Sequence, residues 1–169
     1  MPRVHTLKAR KAYPDIGVEK GDTYYKWSTR MTVGKSYRST IHRSKTMPTR
    51  SQLTSSAFYS AIYGAFDDTS LSSSDDIRSL AEQVREIGQE EQSKLDNMPE
   101  GLQQGATGEM LQERIDACES SADELDSLAD EMDQAETDHE EEELDEGEER
   151  EDFDTSEFID RVADCEPSV

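Results

Sequence analysis

Apolar positions in residues 111–132 fall at Leu111, Ile115, Cys118, Ala122, Leu125, Ala129 and Met132, alternating steps of four and three without a break. That spacing draws a narrow stripe along one side of an α-helix and leaves Glu, Asp, Gln and Ser on the others. A lone helix cannot bury such a stripe, so the pattern demands a partner. Upstream, Ile77, Leu80, Val84, Ile87 and Leu95 keep a similar spacing, which predicts a second helix over residues 75–96. Asn97-Met98-Pro99-Glu100-Gly101 stops it, and a loop through Gly105 and Gly108 leads into the long helix, which starts near Thr107 or Gly108. A connection of this length suits two antiparallel helices. Self-association, seam against seam, is the rival arrangement.

Ahead of Pro48 the period changes. Thr23-Tyr24-Tyr25-Lys26-Trp27-Ser28 is rich in β-formers, and its alternation places Tyr25 and Trp27 on one face. Gly34-Lys35 can turn the chain into a second strand, Ser36-Tyr37-Arg38-Ser39-Thr40-Ile41. Pro14-Asp15 with Gly17, and Glu19-Lys20-Gly21-Asp22, are turn signals. Two or three strands are marginal alone, so the sheet needs a cover. The helix expected over residues 53–66 supplies one through Leu53, Ala57, Phe58, Ala61, Ile62, Ala65 and Phe66, with Tyr59 and Tyr63 beside that stripe. Residues 1–12 read as a flexible basic arm, residues 13–66 as the β head with its lid helix, and residues 67–74 as a polar linker. Ser74 or Asp75 is the expected cap of the helix that follows.

Charge sharpens this division. The chain of 169 residues carries a net charge of −22. Residues 1–50 hold twelve Lys or Arg against three acids, and residues 51–169 hold six against 37. A basic head is thus joined to an acidic body. With 32% hydrophobic and 34% charged residues, a large core is excluded and small packed units are expected. Residues 137–152 read as a disordered acidic run. Beyond it, Phe153, Phe158, Ile159 and Val162 punctuate acids in residues 153–169. This spacing predicts a short amphipathic tail, too short to be stable alone, whose apolar side chains dock on a protein partner.

No catalytic constellation is legible: His5, His42 and His139 have no nucleophile or carboxylate at a recognised catalytic spacing, and a P-loop, GxGxxG and HExxH are absent. The expectation is a binding protein, not an enzyme, without cofactor. Cys118 and Cys165 form no CxxC, so no metal site is expected and Cys118 reads as a small buried residue. No apolar run reaches the length of a membrane span, and a signal peptide is absent. The head is the strongest functional candidate. Lys26, Arg30, Lys35, Arg38 and Arg43 are placed to attract phosphate, and Tyr25 and Trp27 to stack on bases. The competing reading packs these aromatics under the lid helix.

Two stretches resemble uncharacterised small proteins of tailed bacteriophages. The first is Lys8-Ala9-Arg10-Lys11 through Gly21-Asp22-Thr23-Tyr24-Tyr25-Lys26-Trp27 and on to Arg50-Ser51-Gln52-Leu53-Thr54. The second is Leu95-Asp96-Asn97-Met98-Pro99-Glu100-Gly101-Leu102-Gln103-Gln104-Gly105 with Leu111-Gln112-Glu113-Arg114-Ile115-Asp116. Together they span residues 8–136. Paired cysteines in some relatives suggest a zinc-ribbon-like head; this chain has none there, so the resemblance implies a ribbon held by packing without zinc. It also implies a viral protein working in the host cytoplasm or virion, and it transfers no activity.

The sequence therefore predicts an α+β protein. A small antiparallel β head with a lid helix is followed by an antiparallel helical hairpin over residues 75–136, an acidic run and a docking tail. The expected function is that of a non-enzymatic phage accessory protein, with nucleic acid on the head and a host or phage protein on the acidic half. An acidic, DNA-mimic-like inhibitor of a host factor is one alternative. A virion structural or adaptor protein, self-associating through the helical seam, is another.

Overall fold

The computed structural model describes residues 2–33, 36–67, 70–141 and 152–168, apart from the side chains of residues 30–33, 36, 37 and 141. The chain divides into two compact units, Met1–Asp67 and Asp68–Val169. The first is the β head and the second the helical hairpin with the tail, so the α+β architecture expected from the periodicities is present.

The head is a three-stranded antiparallel sheet in the order β1 (His5–Lys8), β2 (Thr23–Val33), β3 (Ser36–Ser44). The stretch expected to be a flexible arm thus supplies an edge strand: His5 pairs with Lys26 and Lys8 with Thr23. All four β1 residues are exposed, which is why no alternation of apolar side chains betrays the strand. β2 and β3 pair from Tyr25 opposite Ser44 to Val33 opposite Ser36, leaving residues 34 and 35 between them. Between β1 and β2 the chain folds on itself. Tyr13 and Val18 bridge, and Ala9, Val18 and Tyr24 form a small core with Tyr13 and Ile16 against it. Gly17 (φ 62°) and Gly21 (φ 102°) turn the chain in the left-handed region that favours glycine.

After the sheet, a single 3-10 turn at Ser51–Leu53 precedes α1 (Ala57–Asp67). The lid helix therefore begins later than the periodicity suggested. Ser60 Oγ donates to the Ser51 carbonyl at 3.1 Å, tying α1 to the turn, and Phe58 and Ile62 are buried.

The second unit begins with α2 (Ser74–Asp96). Its N-cap is Ser73, one residue ahead of the expected position. Ser73 Oγ accepts from the Asp76 N–H, and the Asp76 carboxylate accepts from the Ser73 N–H, a reciprocal capping box. Backbone and hydroxyl hydrogen bonds from Ser72, followed by those from Ser73, hold the Asp76 carboxyl below its ordinary range. A four-residue helix, α3 (Glu100–Gln103), then occupies what reads as loop in sequence. Gln103 Nε2 donates to the carbonyls of Leu95 and Met98, closing the end of α2. The long helix α4 (Ala106–Glu141) follows. Gly108 in its first turn is required by space: a Cβ there would lie 1.8 Å from the Gln103 carbonyl oxygen.

α2 and α4 pack along the predicted seam. Leu111, Cys118, Ala122, Leu125, Ala129 and Met132 are buried with Ile77, Leu80, Ala81 and Val84, while Ile115 and Ile87 are half-buried. At Gly88 the helices come close, since a Cβ would sit 3.1 Å from Cys118 Cβ. Burial, with the nearby Glu91 charge, pushes the Cys118 thiol up to about 11. Arg78 reaches Asp130 (2.8 Å) and Asp133 (2.6 Å), and Arg85 reaches Asp123 (3.3 Å) and Asp126 (2.5 Å). Seven residues separate the arginines, and seven separate the aspartate pairs, so the same fork is built twice along one interface.

One seam position carries a charge. Glu91, four residues after Ile87, is only 2% exposed, and its carboxylate meets Arg114 of α4 at 3.1 Å and Lys94 of α2. The run over residues 137–152 was expected to be disordered, but residues 137–141 are helical, the end of α4; residues 142–151 lie outside the described residues.

Removing one member of a buried ion pair costs more than replacing the charge with a packed apolar group. Glu91→Ala is therefore expected to destabilise the hairpin by about 3 kcal/mol, and Glu91→Leu by less, in urea unfolding followed by helical circular dichroism. A second expectation concerns acid. Hydrogen bonding from Ser74 and then Arg78 lowers the Asp133 carboxyl. A carboxyl lowered on folding contributes stability above its unfolded value and loses it as pH falls through the folded one. The stability gap between wild type and Asp133→Asn should then be widest near neutrality and close below about pH 4.

Candidate nucleic-acid interface on the β head

The sheet sorts the predicted site residues onto two faces. Directly paired residues share a face and successive residues alternate, so Lys26, His5 and Arg43 form one row across all three strands. Tyr25, paired with Thr6 and Ser44, and Trp27, paired with His42, belong to the other face. Arg38 is exposed and pairs with Met31. Arg30 takes the register position opposite Ser39; its side chain, and Lys35 altogether, lie outside the described residues. The cations and aromatics expected to act together are therefore not one cluster.

Trp27 is a correction. Only 5% exposed, it donates from Nε1 to the Gln52 carbonyl at 3.1 Å and stacks on His42 with ring centroids 5.4 Å apart. His42 in turn shares a 2.8 Å hydrogen bond with Thr29 Oγ1. A large aromatic on the side facing the 3-10 turn is core material, and no face is left for a base. Tyr25 is half-buried. Arg43 is exposed and lies over the Tyr13 ring at 5.2 Å, where Lys11 also approaches at 5.6 Å. Tyr24, hydrogen-bonded to Tyr13 and packed against it at 5.3 Å between centroids, has its hydroxyl pushed above the ordinary tyrosine value.

A groove of about 980 Å³ opens beside this sheet. Three consecutive β2 residues, Trp27, Ser28 and Thr29, line it. It therefore meets the strand's edge just where pairing with β1 has ended at Lys26. Arg3, His5, Lys26 and Arg50 bring charge to its wall, and Tyr59 and Tyr63 of α1 bring aromatic rings. Tyr59 and Tyr63 are stacked, 5.9 Å apart and 27° from parallel, and the Arg50 guanidinium lies 4.2 Å from the Tyr63 ring centre. Arg50 also pairs with Asp67 at 3.5 Å. Of these residues, Lys26 and Trp27 belong to the set predicted to bind. The i, i+4 spacing of Tyr59 and Tyr63 was the available signal; that β1 would bring Arg3 and His5 alongside was hidden by the absence of any strand pattern.

The predicted partner-binding residues of the tail are placed differently. α5 (Ser156–Val162) and a following 3-10 turn pack on α4. Val162 is buried, Phe158 and Ile159 are half-buried, and Phe153 lies between the rings of His139 and Phe158 at 5.8 and 6.1 Å. Ser121 Oγ donates to the Cys165 carbonyl, and Arg161 pairs with Glu131 at 2.8 Å. The tail docks on its own chain. Its berth is a second stripe of α4, where Ser121 and Leu128 are buried beside the seam.

Among the described residues, no group of three or more His, Cys, Asp or Glu is placed to hold a metal ion. Likewise, no helix among them is long and apolar enough to cross a membrane. No family model matches the chain, and neither a curated protein nor a solved structure matches it.

Val162 anchors the tail, so Val162→Asp is expected to release it without unfolding the hairpin. Amide exchange in residues 156–165 should accelerate while the α2 and α4 seam keeps its protection.

Proposed function

We propose that the protein is a non-enzymatic nucleic-acid-binding protein whose β head is the binding surface. The observation that carries this reading is the row of His5, Lys26 and Arg43 across the sheet. Like charges directly opposite one another weaken a sheet, and Lys26 lies directly opposite Arg43. An anionic backbone laid over the row relieves that repulsion. Exposed Lys8, Arg10, Lys11, Lys20, Arg38 and Lys45 extend the positive field around it. The acidic half is assigned a separate task, contact with a host or phage protein, because its carboxylates repel phosphate. A phage accessory protein of the infected cell's cytoplasm is the setting that the sequence resemblance supports.

The reading is tested with the full chain and a labelled oligonucleotide over a series of salt concentrations. The logarithm of affinity should fall linearly with the logarithm of salt, by about 0.7 per phosphate contact on a single strand. The double substitution Lys26→Ser, Arg43→Ser should flatten that slope by about one to two contacts. Absence of binding at low salt, or binding indifferent to salt, overturns it.

A further inference from the structure

We infer that the groove beside β2 is a binding site for single-stranded nucleic acid, with Tyr59 as the platform on which a base stacks. This rests on the proposed function and names the form of nucleic acid the head takes. Arg50, Tyr63 and Tyr59 follow one another as a ladder, with separations of 4.2 and 5.9 Å; all three line the groove, and Phe58 meets Tyr59 edge-on at 5.3 Å. A nucleobase continues such a ladder, since every base offers a π-face whatever its sequence.

The rest of the wall fits the rest of a nucleotide. Arg3, His5 and Lys26 stand along the groove as phosphate contacts, and Ser28, Thr29 and Ser39 offer hydroxyls. Ile41, 52% exposed, and Leu7, 39% exposed, also line it. Exposed apolar side chains among cations suit a sugar and the face of an unpaired base, whereas a duplex keeps its base faces stacked inside. Volume agrees: ligand pockets run to about 1,000 Å³, and this groove is at that limit but open along a strand edge, which suits a chain passing through.

Charge selects nucleic acid or an acidic peptide alike; the stacked tyrosines favour the former. The test measures binding of full-length protein to labelled oligothymidylate, and to a blunt duplex of equal length, by fluorescence anisotropy. Tyr59→Ala should weaken oligothymidylate binding roughly tenfold and leave duplex binding unchanged, and Tyr59→Phe should retain wild-type affinity for both. Ile41→Glu, at an exposed position where folding is undisturbed, should weaken oligothymidylate binding by a similar factor. Oligothymidylate should also change the emission of Trp27, the only tryptophan in the chain.

Unchanged oligothymidylate affinity in both Tyr59→Ala and Ile41→Glu, or tighter binding of the duplex, overturns the groove assignment while leaving the head a nucleic-acid binder. Displacement of oligothymidylate by polyglutamate at equal charge concentration also overturns it and points to an acidic protein. Failure of wild type to bind either oligonucleotide at low salt removes the broader reading as well.

Discussion

Pairing of scarce cations with abundant carboxylates across helix boundaries is what lets the acidic half fold. Residues 51–169 carry six basic side chains among 37 acids, and like charge at that density favours an open chain. The five of these basic residues that are described, Arg78, Arg85, Lys94, Arg114 and Arg161, each meet a carboxylate. Three of them bridge α2 and α4, and Arg161 bridges the tail to α4. Surface ion pairs are weak singly. Here each of the two forks sets one guanidinium between two aspartates, so part of the negative charge is offset where two acidic helices must close.

The head solves the opposite problem. Its cations lie around a sheet that packs part of one face in the Tyr13–Tyr24 cluster and buries Trp27 of the other against the 3-10 turn. Its aromatic residues divide accordingly. Tyr24 and Trp27 of β2 and Phe58 of α1 are buried, whereas Tyr59 and Tyr63 of α1 are half-buried and line the groove. In the proposed reading, the phosphate-attracting row and the base-stacking wall meet at Lys26, which belongs to the row and also lines the groove.

How far these features were legible depends on what carries each signal. The seam residues on α4 were readable because burial there follows a strict 4-3 alternation, and six of the seven named positions are buried. Glu91 was not, although it continues the same spacing after Ile87. A pattern built on apolar residues skips a charge whose burial depends on partners elsewhere in the chain. Leu128 was passed over because the stripe it shares with Ser121 is occupied by residues far along the chain. β1 left no trace for a related reason: a four-residue edge strand with every side chain exposed gains its order from backbone hydrogen bonds to β2, which a side-chain pattern cannot record. The basic and aromatic chemistry of the head's candidate site was legible, but its geometry was not. Neighbours in a strand point to opposite faces, and Lys26 and Trp27 are neighbours.

The doubled fork between α2 and α4 also restricts how this protein can vary in length. One extra residue inside either helix turns everything beyond it by about 100°, carrying Arg85 or its aspartates off the interface. Seven extra residues make nearly two full turns and bring the same face back. Homologues of different size should accordingly gain or lose helix in sevens, at both arms together, while the turn around α3 is free to change by any number.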